Sequence, residues 1–236
     1  SLNDPDGKTF EVLLAADALR RAGARSVILA APYLPYMRQD AVFRRGEPIS
    51  QQVLGGVLGR AFDGVLTVEP HLHRVRSLSE VVPCAARAIS AAPALARWAP
   101  SLGQDWLVAG PDEESSELVR RVAEQAGLRW IAGRKTRLGD RNVRVRFPSF
   151  PAVERALVID DIASSGVTIA SSAKALKRAG VKTVYAAVVH AIFAGGALSA
   201  IREGGVSKVF SCDTIAHGSN AIPTAPLVAA AIREMP

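Results

Sequence analysis

Short apolar runs alternate with segments of helical spacing along the whole chain. Leu13–Gly23 (LLAADALRRAG) carries apolar positions at helical intervals and stops at a glycine, and Ser26–Ala31 (SVILAA) follows as a buried-strand run. Gln51–Ala61 predicts a helix and Gly64–Val68 (GVLTV) a strand. The second half continues the alternation. Trp106–Ala109 reads as a strand, Ser115–Ala126 as a helix ended by Gly127, and Arg129–Ala132 as a short strand. Ala156–Ile159 (ALVI) reads as a strand, Thr168–Ala179 as a helix ended by Gly180, and Thr183–Val189 (TVYAAVV) as a strand. Leu198–Glu203 predicts a helix, Lys208–Ser211 a strand and Ala225–Met235 a closing helix. Near-continuous apolar strands separated by helices predict an α/β protein whose parallel sheets are covered on both faces.

The 236 residues allow one large domain or two small ones at ~100–200 residues each. The Ala-rich segment after Pro83, Ala85–Pro100, is the expected boundary. It gives an N-terminal unit over 1–84, a second over 85–224, and a helix over 225–236 that returns to the first. Ser1 leads into a polar turn and a helix, so the first unit is expected to lack its usual opening strand.

Composition narrows the class. With 49% hydrophobic and 22% charged residues the chain is globular rather than disordered. Its two cysteines, Cys84 and Cys212, exclude a disulfide framework, no Cys/His cluster has zinc-finger spacing, and a reducing cytoplasm is the default compartment. No apolar run reaches the ~18–20 residues of a membrane span, and SLNDPDGKTF lacks the features of a signal peptide. The net charge of +7 is scattered, densest over RKTRLGDRNVRVR at 134–146. Such side chains suit a small polyphosphate substrate, and nucleic acid is not the expected partner.

Chemistry concentrates in ALVIDDIASSGVT, residues 156–168. A buried strand leads to two carboxylates, Asp160 and Asp161, then a turn of small residues, Ser164, Ser165, Gly166, Val167 and Thr168, then a helix. Ligands of open α/β sheets bind at the carboxyl ends of strands. Backbone N–H groups at a helix N-terminus suit a phosphate, whereas two aspartates would repel one and are better matched to sugar hydroxyls or a metal. The plainer reading is an Asx turn with an N-cap on an ordinary strand-to-helix loop.

This stretch resembles the phosphoribosyl-pyrophosphate-binding loop of type I phosphoribosyltransferases, a group that includes the synthetase of that compound. Pro-Tyr-x-x-Tyr-x-Arg-Gln-Asp, residues 32–40, and Glu47-Pro48-Ile49-Ser50 are similar to the signature of ribose-phosphate pyrophosphokinase. So are Glu69-Pro70-His71-Leu72-His73, Gly110-Pro111-Asp112, Arg134-Lys135-Thr136-Arg137, His190–Gly195 (HAIFAG) and Cys212-Asp213-Thr214-Ile215, in the order in which that family carries its motifs. The resemblance implies two phosphoribosyltransferase-like domains related by pseudo-symmetry. It implies transfer of the diphosphoryl group of Mg-ATP to ribose 5-phosphate, giving 5-phosphoribosyl 1-pyrophosphate and AMP. By it, Arg38 and Gln39 contact ATP, and His71 and Asp112 hold magnesium. The resemblance also implies that Lys135 and Arg137 are catalytic residues on a mobile flap that runs to about Phe147, and that Asp160, Asp161 and the turn from Ser164 to Thr168 bind ribose 5-phosphate. A homo-oligomer is implied, because that family's ATP sites lie between subunits.

Read without the resemblance, these residues have plainer roles: an Arg38–Asp40 surface pair, loop histidines, Asp112 as a helix cap and a solvated basic loop around Lys135. The sequence also departs from the family pattern. The N-terminal segment that contacts adenine is absent from this sequence, Glu69 and Pro70 replace Asp and Leu, and Ser164 stands where many members have Asp. Val167 replaces a second glycine and is expected to resist a positive φ and crowd the phosphate. Two other readings follow: a non-catalytic regulatory paralogue, and a phosphoribosyltransferase that consumes the pyrophosphate compound. Arg38–Asp40 argues against the latter.

Overall fold

The computed structural model describes residues 1–137 and 143–236, with Arg137 described at its backbone. The chain forms two compact units, residues 1–89 with 225–236, and residues 90–224. The first contains α1 (Pro5–Arg21), β1 (Ile28–Ala30), α2 (Ser50–Ala61), β2 (Gly64–Val68) and β3 (Ala85–Ile89). The second contains α3 (Ala92–Trp98), β4 (Trp106–Gly110), α4 (Ser116–Ala126), β5 (Arg129–Ala132), β6 (Arg134–Arg137), β7 (Val143–Arg146), β8 (Arg155–Ala163), α5 (Val167–Arg178), β9 (Thr183–Ala191), α6 (Ala197–Glu203), β10 (Val206–Cys212) and β11 (Asn220–Ile222). The last helix, α7 (Ala225–Ile232), belongs to the first unit and packs on β2 and β3. Among the described residues no helix is long and apolar enough to cross a membrane.

In the first unit the strands are parallel, in the order β1-β2-β3. All five residues of β2 are buried, as a central strand covered on both faces requires. Its core includes Leu29, Leu54, Leu58, Val65 and Val82. The segment expected to be a boundary is largely structured. Ala85–Ile89 is the third strand of this sheet, so the division falls after Ile89 instead of residue 84. Helix α1 also starts earlier than its apolar periodicity predicts, with Pro5 in its first turn, where a missing N–H is harmless.

The second unit is built on a six-stranded parallel sheet in the order β11-β10-β9-β8-β4-β5. One face is covered by α5 and α6 through Ile169, Ala173, Leu176 and Ile201. Aromatics are scarce, yet four of them run together in this unit. Trp98 lies 4.8 Å from Phe210, Phe210 5.9 Å from Tyr185 and Tyr185 4.7 Å from Trp106, between ring centroids. Strand order reverses around β4. The chain leaves β4 for β5 on one side and returns to β8 on the other, which makes the gap beyond the carboxyl ends of β4 and β8 the topological switch point. Between β5 and β8 stands an antiparallel hairpin of β6 and β7.

Two local expectations are corrected. Strand β8 does not stop at Ile159: it continues through Asp160 and Asp161 to Ala163, because β9 runs beside it that far, pairing Asp160 with Val188 and Ala163 with Ala191. Val167 does not occupy a left-handed position. It is the first residue of α5, and the left-handed backbone belongs to Gly166, at φ 75°. A Cβ on Gly166 would also lie 2.7 Å from the Ala197 carbonyl oxygen and 2.8 Å from Ile201 Cγ1. Gly166→Ala should therefore destabilise the protein by about 2 kcal/mol or more, the left-handed cost plus the clash with α6. Val167→Gly should cost only about 0.5–1 kcal/mol. Urea unfolding of both variants checks the difference, and equal losses would contradict this account of the turn.

Candidate active site

The residues singled out in the sequence fall on both units. In the first, Arg38 and Gln39 lie in the loop after β1, and His71 lies in the loop after β2, the carboxyl ends of two parallel strands. Gln39 Oε1 accepts a 2.6 Å hydrogen bond from the Ser50 hydroxyl at the start of α2. Arg38 is exposed. It does not pair with Asp40, whose shielded carboxylate accepts from Arg74 Nε at 3.1 Å. The rings of His71 and His73 meet edge to face, centroids 3.9 Å apart. Both loops carry strained residues, Tyr36 at φ 61° and Glu69 at φ 40°, which persist only where their surroundings fix them.

Gln51 was not expected to matter. It is 2% exposed, and its Nε2 donates to the Met37 carbonyl at 3.2 Å and to the His71 carbonyl at 3.4 Å. One buried amide thus ties the loop of Arg38 and Gln39 to that of His71. The signal available in the sequence was a polar residue in the apolar stripe of α2, in step with Leu54 and Leu58. Arg74 carried no comparable signal.

In the second unit, Asp112, Lys135 and the segment 160–168 gather at the switch point between β4 and β8. Asp112 Oδ1 accepts the Ser115 N–H at 3.0 Å, and Asp112 Oδ2 accepts from Lys135 Nζ at 2.9 Å. Asp112 thus accepts from the backbone of Ser115, the N-cap of α4, and pairs with Lys135 through its other oxygen. Lys135 is not on a solvated loop: it lies on β6, and its side chain is 15% exposed. The hairpin occupies the place of the implied flap. Residues 138–142, and the side chain of Arg137, lie outside the described residues.

Asp160 is buried and Asp161 half-buried, and the Asp161 N–H donates to Asp160 Oδ1 at 3.1 Å. Burial pushes the Asp160 carboxyl well above the usual carboxylate range. The negative charges of Asp161 and Asp112 push in the same direction, and the Lys135 ammonium opposes them. Beyond β8, Ser164 and Ser165 lead to Gly166 and the first turn of α5, whose leading N–H groups have no acceptor within the helix. The turn is braced from the side: Phe193 N–H donates to the Ala163 carbonyl at 2.8 Å and Ala194 N–H to the Ser164 carbonyl at 3.0 Å. Phe193 itself is held at φ 39°.

The remaining motif segments stabilise this end of the sheet. His190 is buried, and its Nδ1 lies 2.9 Å from Thr214 Oγ1, which donates to the Val189 carbonyl at 2.6 Å. Asp213 Oδ1 accepts from the Thr224 N–H at 2.7 Å, and Cys212 is fully buried. The arrangement can hold sugar hydroxyls on carboxylates and a phosphate at a helix N-terminus, with an ammonium beside the carboxylates.

Comparison with known proteins gives the family. Residues 1–61 match the N-terminal domain of ribose phosphate pyrophosphokinase. The ribose-phosphate pyrophosphokinase of Methanopyrus kandleri is 32% identical over 240 residues, covering 100% of this chain and 81% of its own. That of Pyrococcus abyssi is 32% identical over 199 residues, covering 84% and 69%. The crystal structure of phosphoribosylpyrophosphate synthetase from Mycobacterium smegmatis matches with a TM-score of 0.79 at 25% identity, over 95% of this chain and 76% of that one. The parallel-sheet α/β architecture expected from the sequence is thus that of a synthetase, and the chain belongs to the ribose-phosphate pyrophosphokinase family.

Proposed function

We propose that the chain transfers the diphosphoryl group of ATP to O1 of ribose 5-phosphate. The 1-hydroxyl oxygen bonds to the β-phosphorus and loses its proton. The bond from that phosphorus to the oxygen bridging to the α-phosphate breaks, and AMP leaves with the bridging oxygen. The observation that carries this reading is the convergence, at one switch point, of Asp160 and Asp161, the N-terminus of α5 and the Asp112–Lys135 pair.

Asp160 and Asp161 accept from the ribose hydroxyls, donors that suit a pair of carboxylates. Ser164, Ser165, Gly166, Val167 and Thr168 receive the 5-phosphate, with backbone N–H groups and hydroxyls aimed at it. Val167, placed inside the helix, offers its N–H as a glycine would. Lys135 and Arg137 bring positive charge to the transferring group, the main requirement of such a transfer. Arg38 and Gln39 hold ATP, the guanidinium forking onto phosphate oxygens.

Magnesium fits these residues. A carboxylate has about four lone-pair positions, and the bonds from Ser115 and Lys135 leave Asp112 able to accept a cation. The ion prefers oxygen ligands, and the family resemblance assigns His71, in the first unit, to it as well. Bound there, magnesium would offset charge on the diphosphoryl group. One argument for a non-catalytic paralogue, that Val167 resists a positive φ, does not apply, because that φ belongs to Gly166.

Three measurements test the reading. Purified protein given magnesium, ATP and ribose 5-phosphate should release AMP only when all three are present, and no AMP would overturn it. Lys135→Ala should lower kcat by ~10²–10³-fold while ribose 5-phosphate affinity changes by less than ~3-fold, and equal losses would contradict the role given to Lys135. The third follows from the raised proton affinity of Asp160. The folded state binds more protons than the unfolded, so the contribution of Asp160 to stability is present below the ordinary carboxylate pKa and lost as pH rises through the folded value. In chelator and without ligands, Asp160→Asn should therefore melt higher than wild type at neutral pH. The gap should close toward pH 4 and below, and a pH-independent difference would refute this cause.

A further inference from the structure

We propose that Ser115 is a positioning residue for the reaction: by fixing the backbone of Asp112, it sets where Asp112 holds the Lys135 ammonium. The inference rests on the reading of Lys135 given above. Ser115 is 5% exposed and turns its hydroxyl and its N–H to one neighbour. Its hydroxyl accepts the Asp112 N–H at 3.2 Å and donates to the Asp112 carbonyl at 2.9 Å, and its own N–H donates to Asp112 Oδ1 at 3.0 Å. Backbone and carboxylate of Asp112 are thereby held from one side, and Oδ2 is left facing Lys135 Nζ at 2.9 Å. Both members of that ion pair are shielded, at 15% and 13% side-chain exposure, so their geometry counts for more than that of a surface pair.

The contact between this loop and the hairpin has no slack. Gly133 N–H, at the root of β6, donates to the Gly110 carbonyl at 2.8 Å, and a Cβ on Gly133 would come within 2.8 Å of the Pro111 carbonyl oxygen. A Cβ on Gly110 would meet Ser115 Oγ at 2.7 Å. A displacement of residues 111–115 is therefore passed directly to the strand that carries Lys135. Among the described residues, Asp112 is the hydrogen-bond partner of Lys135 Nζ.

Ser115→Ala is the selective change. It keeps the N–H bond to Oδ1 and the start of α4, and removes both hydroxyl contacts to the Asp112 backbone. Misplacing a reacting group by ~1 Å costs up to ~10²-fold in rate, and a partial loosening should lower kcat by ~10-fold, with the ribose 5-phosphate KM within ~2-fold of wild type. A residue that acts through Lys135 has less to act on once Lys135 is gone, and keeps only its hold on Asp112. In a Lys135→Ala background at saturating magnesium, Ser115→Ala should therefore cause a much smaller fractional loss. The same fractional loss in both backgrounds would show a general structural role and overturn the proposal, as would an unchanged kcat. A second readout needs no turnover: acylation of Lys135 by a small amine-reactive ester in the ligand-free protein, followed by peptide mass spectrometry with Lys174 as internal reference. Ser115→Ala should speed Lys135 labelling several-fold, and an unchanged ratio would overturn the proposal even if kcat fell. If wild type makes no AMP, the reading of the reaction fails, and the labelling ratio alone decides whether Ser115 positions Lys135.

Discussion

Strand β8 is nine residues long, and β4 beside it pairs with only its first four. The polar chemistry of the second unit gathers in the step this leaves. On the far side β9 keeps pairing to Ala163, so the extra length of β8 is held as regular strand instead of loop. That support allows two adjacent carboxylates to stand on a rigid backbone beyond the end of a neighbouring strand. The diverging crossovers of β4 and β8 then bring the Asp112 loop, the hairpin and the start of α5 around the same gap.

Rigidity here has a cost that the fold carries elsewhere. Asp160 is buried among like charges and resists ionisation, an arrangement that a protein selected for stability alone would remove. Phe193 is kept in a backbone conformation that bulky residues avoid, while its N–H braces the turn below β8. Tyr36 and Glu69 show the same strain in the loops of the first unit, where a buried glutamine holds the two loop backbones. Among the described residues, Tyr36, Glu69 and Phe193 follow the carboxyl ends of strands, whereas Asp105, at φ 65°, stands just before β4.

The buried strands were legible because both faces are covered and their sequences are nearly unbroken apolar runs, as in GVLTV and ALVI. β3 and α3 were not, because AARAI and APALARW are both Ala-rich and alanine distinguishes strand from helix poorly without its neighbours. The end of β8 was misread because aspartates disfavour strands locally, and only pairing with β9 overrides that preference. The residue types of the candidate site were legible from motif order, and their supports were not. Ser115 and Gln51 act through hydrogen bonds to backbone groups of other residues, and no spacing in the sequence marks such bonds. The hairpin did leave a trace, the alternation VRVR, in which Val145 is buried and Arg144 and Arg146 are exposed.

That alternation gives the hairpin an uneven tolerance to changes in length. Lys135 faces Asp112 because it lies two residues beyond Gly133, and successive side chains on a strand point to opposite faces. One residue inserted between Gly133 and Arg134 would bring Arg134 into its place, exchanging an amine for a guanidinium and keeping the positive charge. One residue deleted there would bring Thr136 instead, and the charge would be lost. Over evolutionary drift the root of this hairpin is thus buffered against growth and exposed to shortening, an asymmetry written by the order Arg-Lys-Thr alone.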